Sequence, residues 1–298
     1  MAESISTNTV RSKDGTAIAF SQSGKGPALV LVDGALCHRK FGPMAGIARL
    51  LTPYFTVLTF DRRGRGESTN TEPYSVHREV EDIAAVIEAA GGTANLFGTS
   101  SGAALALEAA ARLEGVKKVV LYEAPFFFDD AHPPRPDDYL GKMTALIAAD
   151  RRAEALKLFM RTVGMPAIFI NLMRFTPAWG KLKRVAHTLP YDLTIVSDTE
   201  AGAPLSVERW ASVTMPVLTA VGGKSPAWWQ KAMKELADVL PNAQHVTLPG
   251  QTHMVKASVL SPILTEFFTK SAGVGANGLR ASDLSQGHVR ARDGSAAG

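Results

Sequence analysis

Gly98-Thr99-Ser100-Ser101-Gly102 has the residue types and spacing of a G-x-S-x-G nucleophile elbow. An apolar β-type run, Thr93 to Phe97, precedes it, and an alanine-rich helix former, Ala103 to Arg112, follows. A serine on a tight strand-to-helix turn is strained, and its hydroxyl stands exposed above the sheet edge. The flanking glycines allow the turn and the close packing of strand on helix. The first turn of the helix offers free N–H groups and a positive dipole end to a developing oxyanion. These features point to acyl transfer through Ser100.

A serine hydroxyl is a poor nucleophile until a base takes its proton, and the base needs a third group to set its tautomer. His253 is the candidate base. It lies in Gly250-Gln251-Thr252-His253-Met254, between the last predicted strand and the last helix, a loop that belongs to the same carboxyl edge as the elbow. The other six histidines lack such a setting. The turn after the strand that ends at Val221 reads Gly222-Gly223-Lys224-Ser225-Pro226 and holds no carboxylate. Glu123 closes the apolar run Val119 to Tyr122 and is followed by Ala124-Pro125. An ionisable residue at the end of a buried strand needs a partner, so Glu123 is the candidate acid, with Asp129 and Asp130 in reserve. Two N–H donors are required for the oxyanion. Ser101 supplies one, and the loop Asp33-Gly34-Ala35-Leu36 supplies the other through Gly34, with Ala35 as its neighbour. Cys37, beside His38, reads as a small buried thiol and not as a second nucleophile.

Strands and helices alternate around these residues. Strands are predicted over 16–22, Pro27 to Val32, Tyr54 to Phe60 and Val116 to Tyr122, with helices over 39–52 and Val76 to Ala90. Between 126 and 210 the alternation breaks. Helical stretches (Tyr139 to Ala149, Arg152 to Val163, Ala167 to Phe175) are punctuated by prolines, and the segment reads as a cap. The pattern resumes with a strand from Pro216 to Val221, a helix from Pro226 to Leu240, a strand from Ala243 to Leu248 and a helix from Val255 to Lys270. The expected architecture is an α/β, mostly parallel doubly wound sheet with a helical cap. The expected core is 1–125 and 211–270, the cap 126–210, and 271–298 a disordered tail poor in large apolar residues.

The chain has 298 residues, 46% hydrophobic, ample for one core with an insertion. The net charge is +4, but the basic residues are scattered, so nucleic-acid binding is not expected. The single cysteine forms no intrachain disulfide, and the polar segment Met1 to Ser12 lacks the regions of a signal peptide. No run is long enough to span a bilayer. These points predict a cytoplasmic monomer or homodimer that does not associate with membranes.

These residues resemble the α/β-hydrolase superfamily over about 16–270, interrupted by the cap. The turn Asp61-Arg62-Arg63-Gly64-Arg65-Gly66-Glu67-Ser68 looks like that family's D-x-R-G-x-G-x-S turn and is assigned a structural role only. The order Ser100, Glu123, His253 matches the family's nucleophile, acid and histidine. Two departures, Asp33-Gly34 in place of histidine-glycine and the acid on the earlier strand, resemble the fungal zearalenone lactonases. Carried over, the resemblance implies Ser100 as nucleophile, Glu123 as acid, His253 as base, and Gly34 and Ser101 as oxyanion donors. The similarity lies in motifs and not in the cap, so substrate identity does not carry over; the residues themselves are expected to form a serine hydrolase for a small-molecule carboxylic ester or lactone, with no metal or organic cofactor. Alternatives are a C–C hydrolase or acyltransferase on the same triad, or a ligand-binding protein without turnover. Phe126, Phe127, Phe128, Phe169, Met173, Phe175, Trp179 and Trp210 are expected to supply the pocket wall and the cap core, favouring a hydrophobic or aromatic substrate.

Overall fold

The computed structural model describes residues 6–126, 136–197 and 205–270. The strands are β1 (Ser6–Arg11), β2 (Ala17–Ser23), β3 (Ala28–Val32), β4 (Thr56–Phe60), β5 (Ala94–Thr99), β6 (Val116–Tyr122), β7 (Val217–Gly222) and β8 (Ala243–Leu248). They form one sheet in the order β1-β2-β4-β3-β5-β6-β7-β8, parallel from β4 to β8 and antiparallel where β2 meets β1 and β4. The helices are α1 (Met44–Leu51), α2 (Val76–Ala89), α3 (Ser101–Ala110), α4 (Tyr139–Ala148), α5 (Arg152–Thr162), α6 (Ala167–Met173), α7 (Pro177–Val185), α8 (Leu189–Val196), α9 (Ala227–Val239) and α10 (Ala257–Thr269).

The central strands carry apolar residues on both faces, as a sheet covered on two sides requires. In β3, Val30 and Val32 pack with α2, α3 and α9, whereas Leu29 and Leu31 pack with α1 and α10. The two-residue period of a strand thus splits the core into two layers. All ten residues of α3 are buried. Its small side chains let the helix that follows the elbow lie close against β3, β5 and β6.

Helices α4 to α8 fall between β6 and β7 and enclose a third apolar cluster, with Met143, Leu156, Trp179, Leu182 and Leu189 at its centre. Leu36, from the loop after β3, is buried in this cluster and so ties that loop to these inserted helices, the segment expected as a cap. Two features differ from the sequence reading. The polar segment Ser6–Arg11 forms β1, an edge strand whose β-branched residues suit a half-exposed ribbon. Prolines at 177 and 190 do not interrupt structure; they start α7 and α8 within the first turn, where a missing N–H costs no helical bond. The expected tail 271–298 lies outside the described residues. Among those described, no helix is long and apolar enough to cross a membrane.

Candidate active site

The elbow forms because its glycines leave room that no side chain would. A Cβ at Gly98 would lie 2.3 Å from the Gly102 carbonyl oxygen, and one at Gly102 would lie 2.3 Å from that of Val32. Ser100 sits between them at φ 56° and ψ −133°, capping α3. Its N–H donates to the Tyr122 carbonyl at 2.9 Å, which anchors the turn to β6. Such a conformation costs a non-glycine residue about 1–3 kcal/mol. Left-handed φ values recur nearby, at Leu36 (62°) and Glu123 (49°). Of five such non-glycine residues among those described, three surround this site.

Glu123 follows β6 and is wholly buried. Its N–H donates to Ala220 at 3.1 Å. Oε1 accepts from the Gly222 N–H at 2.7 Å and from the Ser225 hydroxyl at 2.6 Å. Oε2 lies 2.8 Å from His253 Nδ1. With Nδ1 engaged, Nε2 is the nitrogen free to exchange a proton. Asp129 and Asp130, the reserve acids, lie outside the described residues. The turn after β7 lacks a carboxylate but still holds Glu123, through Gly222 and Ser225.

The histidine loop is held on several sides. The Tyr122 hydroxyl donates to the Thr252 carbonyl at 2.6 Å, and the Lys224 N–H donates to the Gln251 carbonyl at 2.8 Å. Gly222 has no room for a side chain, since a Cβ there would lie 2.5 Å from that Gln251 oxygen. The Trp229 ring stacks on the half-buried His253 imidazole with centroids 4.4 Å apart, and Trp228 stacks on Trp229 at 4.8 Å. Trp229 is itself fixed by donating to the Ala124 carbonyl at 3.3 Å.

Ser100, Ser101, Gly34, Ala35 and His253 all line one cavity of about 380 Å³. A Cβ on Gly34 would sit 3.0 Å from Ser100 Cβ, so the loop after β3 abuts the Ser100 side chain. The wall differs from the expected one. Phe126 and Trp210 pack in the main core, Trp179 lies inside the cap cluster, Phe169 and Phe175 are exposed, and Met173 packs against the cap cluster. Phe127 and Phe128 lie outside the described residues. Tyr139, Phe159, Trp228 and Trp229 supply the aromatic wall instead, with Ile47, Val163, Leu193 and Met254. The two tryptophans follow Pro226 at the start of α9, and their place beside the histidine depends on β7 neighbouring β8, a long-range fact.

Cys37 also lines the cavity, but burial, with the nearby Asp33 carboxyl adding to it, pushes its thiol up to about 12. It stays protonated and inert near neutral pH. Beneath Ser100 runs a buried ionic network that the sequence reading missed. Asp192, on α8, accepts from Arg62 and Arg65 at 2.7 Å each and from the Ser101 hydroxyl at 2.8 Å. Arg62 also forms a forked pair with Glu79. A signal was present: Asp192 is one of only two acidic residues between 151 and 196. Nearby, burial drives the Asp33 carboxyl up to about 7, against the pull of Arg65 and Arg62.

The alpha/beta hydrolase family model matches residues 29–261. An alpha/beta hydrolase structure from Sphaerobacter thermophilus DSM 20745 is 47% identical, covers 88% of this chain and all of its own, and superposes with a TM-score of 0.81. An enol-lactonase from Burkholderia xenovorans LB400 shares the fold at 18% identity, with coverage of 88% and 100% and a TM-score of 0.65. A thermophilic esterase from Thermogutta terrifontis does so at 20% identity, with coverage of 88% and 96% and a TM-score of 0.61.

Proposed function

The chain belongs to the alpha/beta hydrolase family, and on that premise we propose that it is a serine hydrolase cleaving a carboxylic ester or lactone with an apolar or aromatic body. The observation that carries this reading is the Glu123–His253 pair, 2.8 Å apart, opening onto the same cavity as the strained Ser100. Ser100 Oγ attacks the acyl carbon while His253 Nε2 takes its proton. The oxyanion forms against the N–H groups of Ser101 and Gly34. Collapse of the tetrahedral intermediate breaks the acyl–oxygen bond, and His253 returns the proton to the leaving alkoxide. In a lactone that alkoxide remains tethered to the acyl chain. Water then attacks the acyl-enzyme, giving a proton to His253, and Ser100 recovers it as the carboxylic acid departs. Glu123 holds Nδ1–H throughout and stabilises the imidazolium.

Several observations support the substrate class. The cavity is walled by aromatic and aliphatic side chains, which suits an apolar ester better than a sugar or a peptide. Two proteins of the same fold are named as an enol-lactonase and an esterase. Against a ligand-binding protein without turnover stands the Glu123–His253 pair, which supports an assembled acid and base. The test is intact-mass analysis after reaction with a fluorophosphonate. One adduct is expected on wild type and none on Ser100→Ala of equal Tm. A folded wild type that takes no adduct, or a Ser100→Ala variant that still does, refutes the mechanism.

A further inference from the structure

We infer that Asp192, carried by the cap helix α8, is a positioning residue that holds the two halves of the oxyanion hole in register through Arg62, Arg65 and Ser101. The inference rests on the serine-hydrolase reading above and adds a part to it.

The contacts run as a closed circuit. On one side, Asp192 Oδ1 accepts from Ser101 Oγ at 2.8 Å, which fixes the residue whose N–H is the first donor. Being the first residue of α3, Ser101 has an N–H without an intrahelical acceptor, free to meet an oxyanion. On the other side, Asp192 Oδ2 accepts from Arg65 Nη2 at 2.7 Å, and Arg65 Nη1 donates to the Gly34 carbonyl at 2.7 Å. Arg62 Nη1 bridges Asp192 Oδ1 at 2.7 Å and the Asp33 carbonyl at 3.3 Å. A trans peptide is planar, so fixing a carbonyl fixes the N–H that points the opposite way. The Asp33 carbonyl shares its plane with the Gly34 N–H, and the Gly34 carbonyl shares its plane with the Ala35 N–H. Both N–H groups available from this loop are therefore aimed by guanidinium groups that Asp192 holds.

A simple staple between cap and core would look different. One arginine would satisfy it, with spare N–H groups on water. Here Arg62, Arg65, Asp192 and Ser101 are all nearly inaccessible. Arg62 spends Nε and Nη2 on Glu79 and Arg65 spends Nε on Thr188, but Nη1 of each reaches a carbonyl of the oxyanion loop. Leu36 adds a second tie, its left-handed backbone placing the side chain in the cap cluster. The D-x-R-G-x-G-x-S turn, structural in the sequence reading, thereby also reaches the reaction centre.

The test uses p-nitrophenyl butyrate turnover and inhibition by phenylboronic acid, whose tetrahedral adduct sets an oxygen in the hole. Ser101→Ala deletes one hydroxyl and keeps the backbone donor. It is expected to lower kcat about tenfold with KM within twofold, because a loosened donor costs less than a deleted one. Asp192→Asn is expected to lower kcat about a hundredfold, and the double variant to be no slower than Asp192→Asn alone. The boronate inhibition constant should rise in step with the loss of kcat/KM, a correlation that mere loss of stability does not produce. Should Asp192→Asn fail to fold through its unpaired guanidinium charge, Ser101→Ala decides alone. Ser101→Ala with kcat and boronate inhibition within twofold of wild type overturns the inference, as does a double variant whose losses multiply. Wild type unreactive to fluorophosphonate sinks the hydrolase reading itself, whereas labelled wild type with unaffected variants sinks only this one.

Discussion

Replacing Glu123 with glutamine tests the proposed triad at its least conventional member. The carboxylate is wholly buried and engaged on both oxygens, so the amide has one workable orientation. Its oxygen must take the Oε1 place, because the Gly222 N–H there can only donate. Its nitrogen then faces His253 Nδ1. An NH2 group opposite Nδ1 demands an unprotonated Nδ1, which moves the imidazole proton to Nε2. In that tautomer Nε2 has no lone pair to take the proton of Ser100. The wrong tautomer in a comparable triad lowers kcat about 10⁴-fold, or about 5 kcal/mol of transition-state stabilisation. Stability should change little by comparison, since the bonds from Gly222 and Ser225 persist and only one charge-assisted bond is lost, worth about 1.5–3 kcal/mol. The assay is steady-state hydrolysis of p-nitrophenyl butyrate beside a thermal melt. Activity within tenfold of wild type, in a variant that melts cooperatively, would refute the assignment of Glu123 and direct attention to the aspartates that follow it.

Two further outcomes are expected. Gly102→Ala sets a Cβ 2.3 Å from the Val32 carbonyl and 2.5 Å from that of Asp33. Overpacking of this kind costs about 1–3 kcal/mol, and because the displaced strand end leads into the oxyanion loop, kcat should fall with Tm; an unchanged melt and turnover would contradict the packing. Asp33→Asn probes the carboxyl that burial raises from 3.8 to about 7. Between those values the folded protein keeps a proton that the unfolded chain has released, so the wild type loses stability as pH rises from about 4 through 7. The Tm of Asp33→Asn relative to wild type should therefore climb across that window and level off above it, and a difference that is flat from pH 4 to 8 would show that Asp33 ionises normally.

Much of the framework was legible because it depends on local rules. The strand–elbow–helix unit around Ser100 needs glycines where backbones nearly touch, and those glycines stand in the sequence. Glu123 was legible because a carboxylate closing an apolar strand has to be paired, and its partner His253 lies on the same sheet edge. The cavity wall was not legible. Phe126 and Trp210 begin and end the segment expected as a cap, yet the core claims them, whereas Trp228 and Trp229 reach the cavity only because β7 and β8 are neighbours. Asp192 stood out only as one of two acids between 151 and 196, and its partners were not legible. Its partners Arg62 and Arg65 stand well over a hundred residues away, and no periodicity or motif ties a cap helix to a turn before α2.

The close approach at Gly222 also limits how this site can change by mutation. The turn after β7, where related architectures place the acid, is closed to a side chain at Gly222 by the Gln251 carbonyl. At Ser225 a carboxylate would face Glu123 Oε1, now bonded to that serine's hydroxyl, and two like charges at that distance would not both ionise. A carboxylate placed at either position with Glu123 still present therefore displaces the histidine loop or sets two acids against each other. At these two positions the place of the acid behaves as a historical commitment, because moving it there requires Glu123 to change as well.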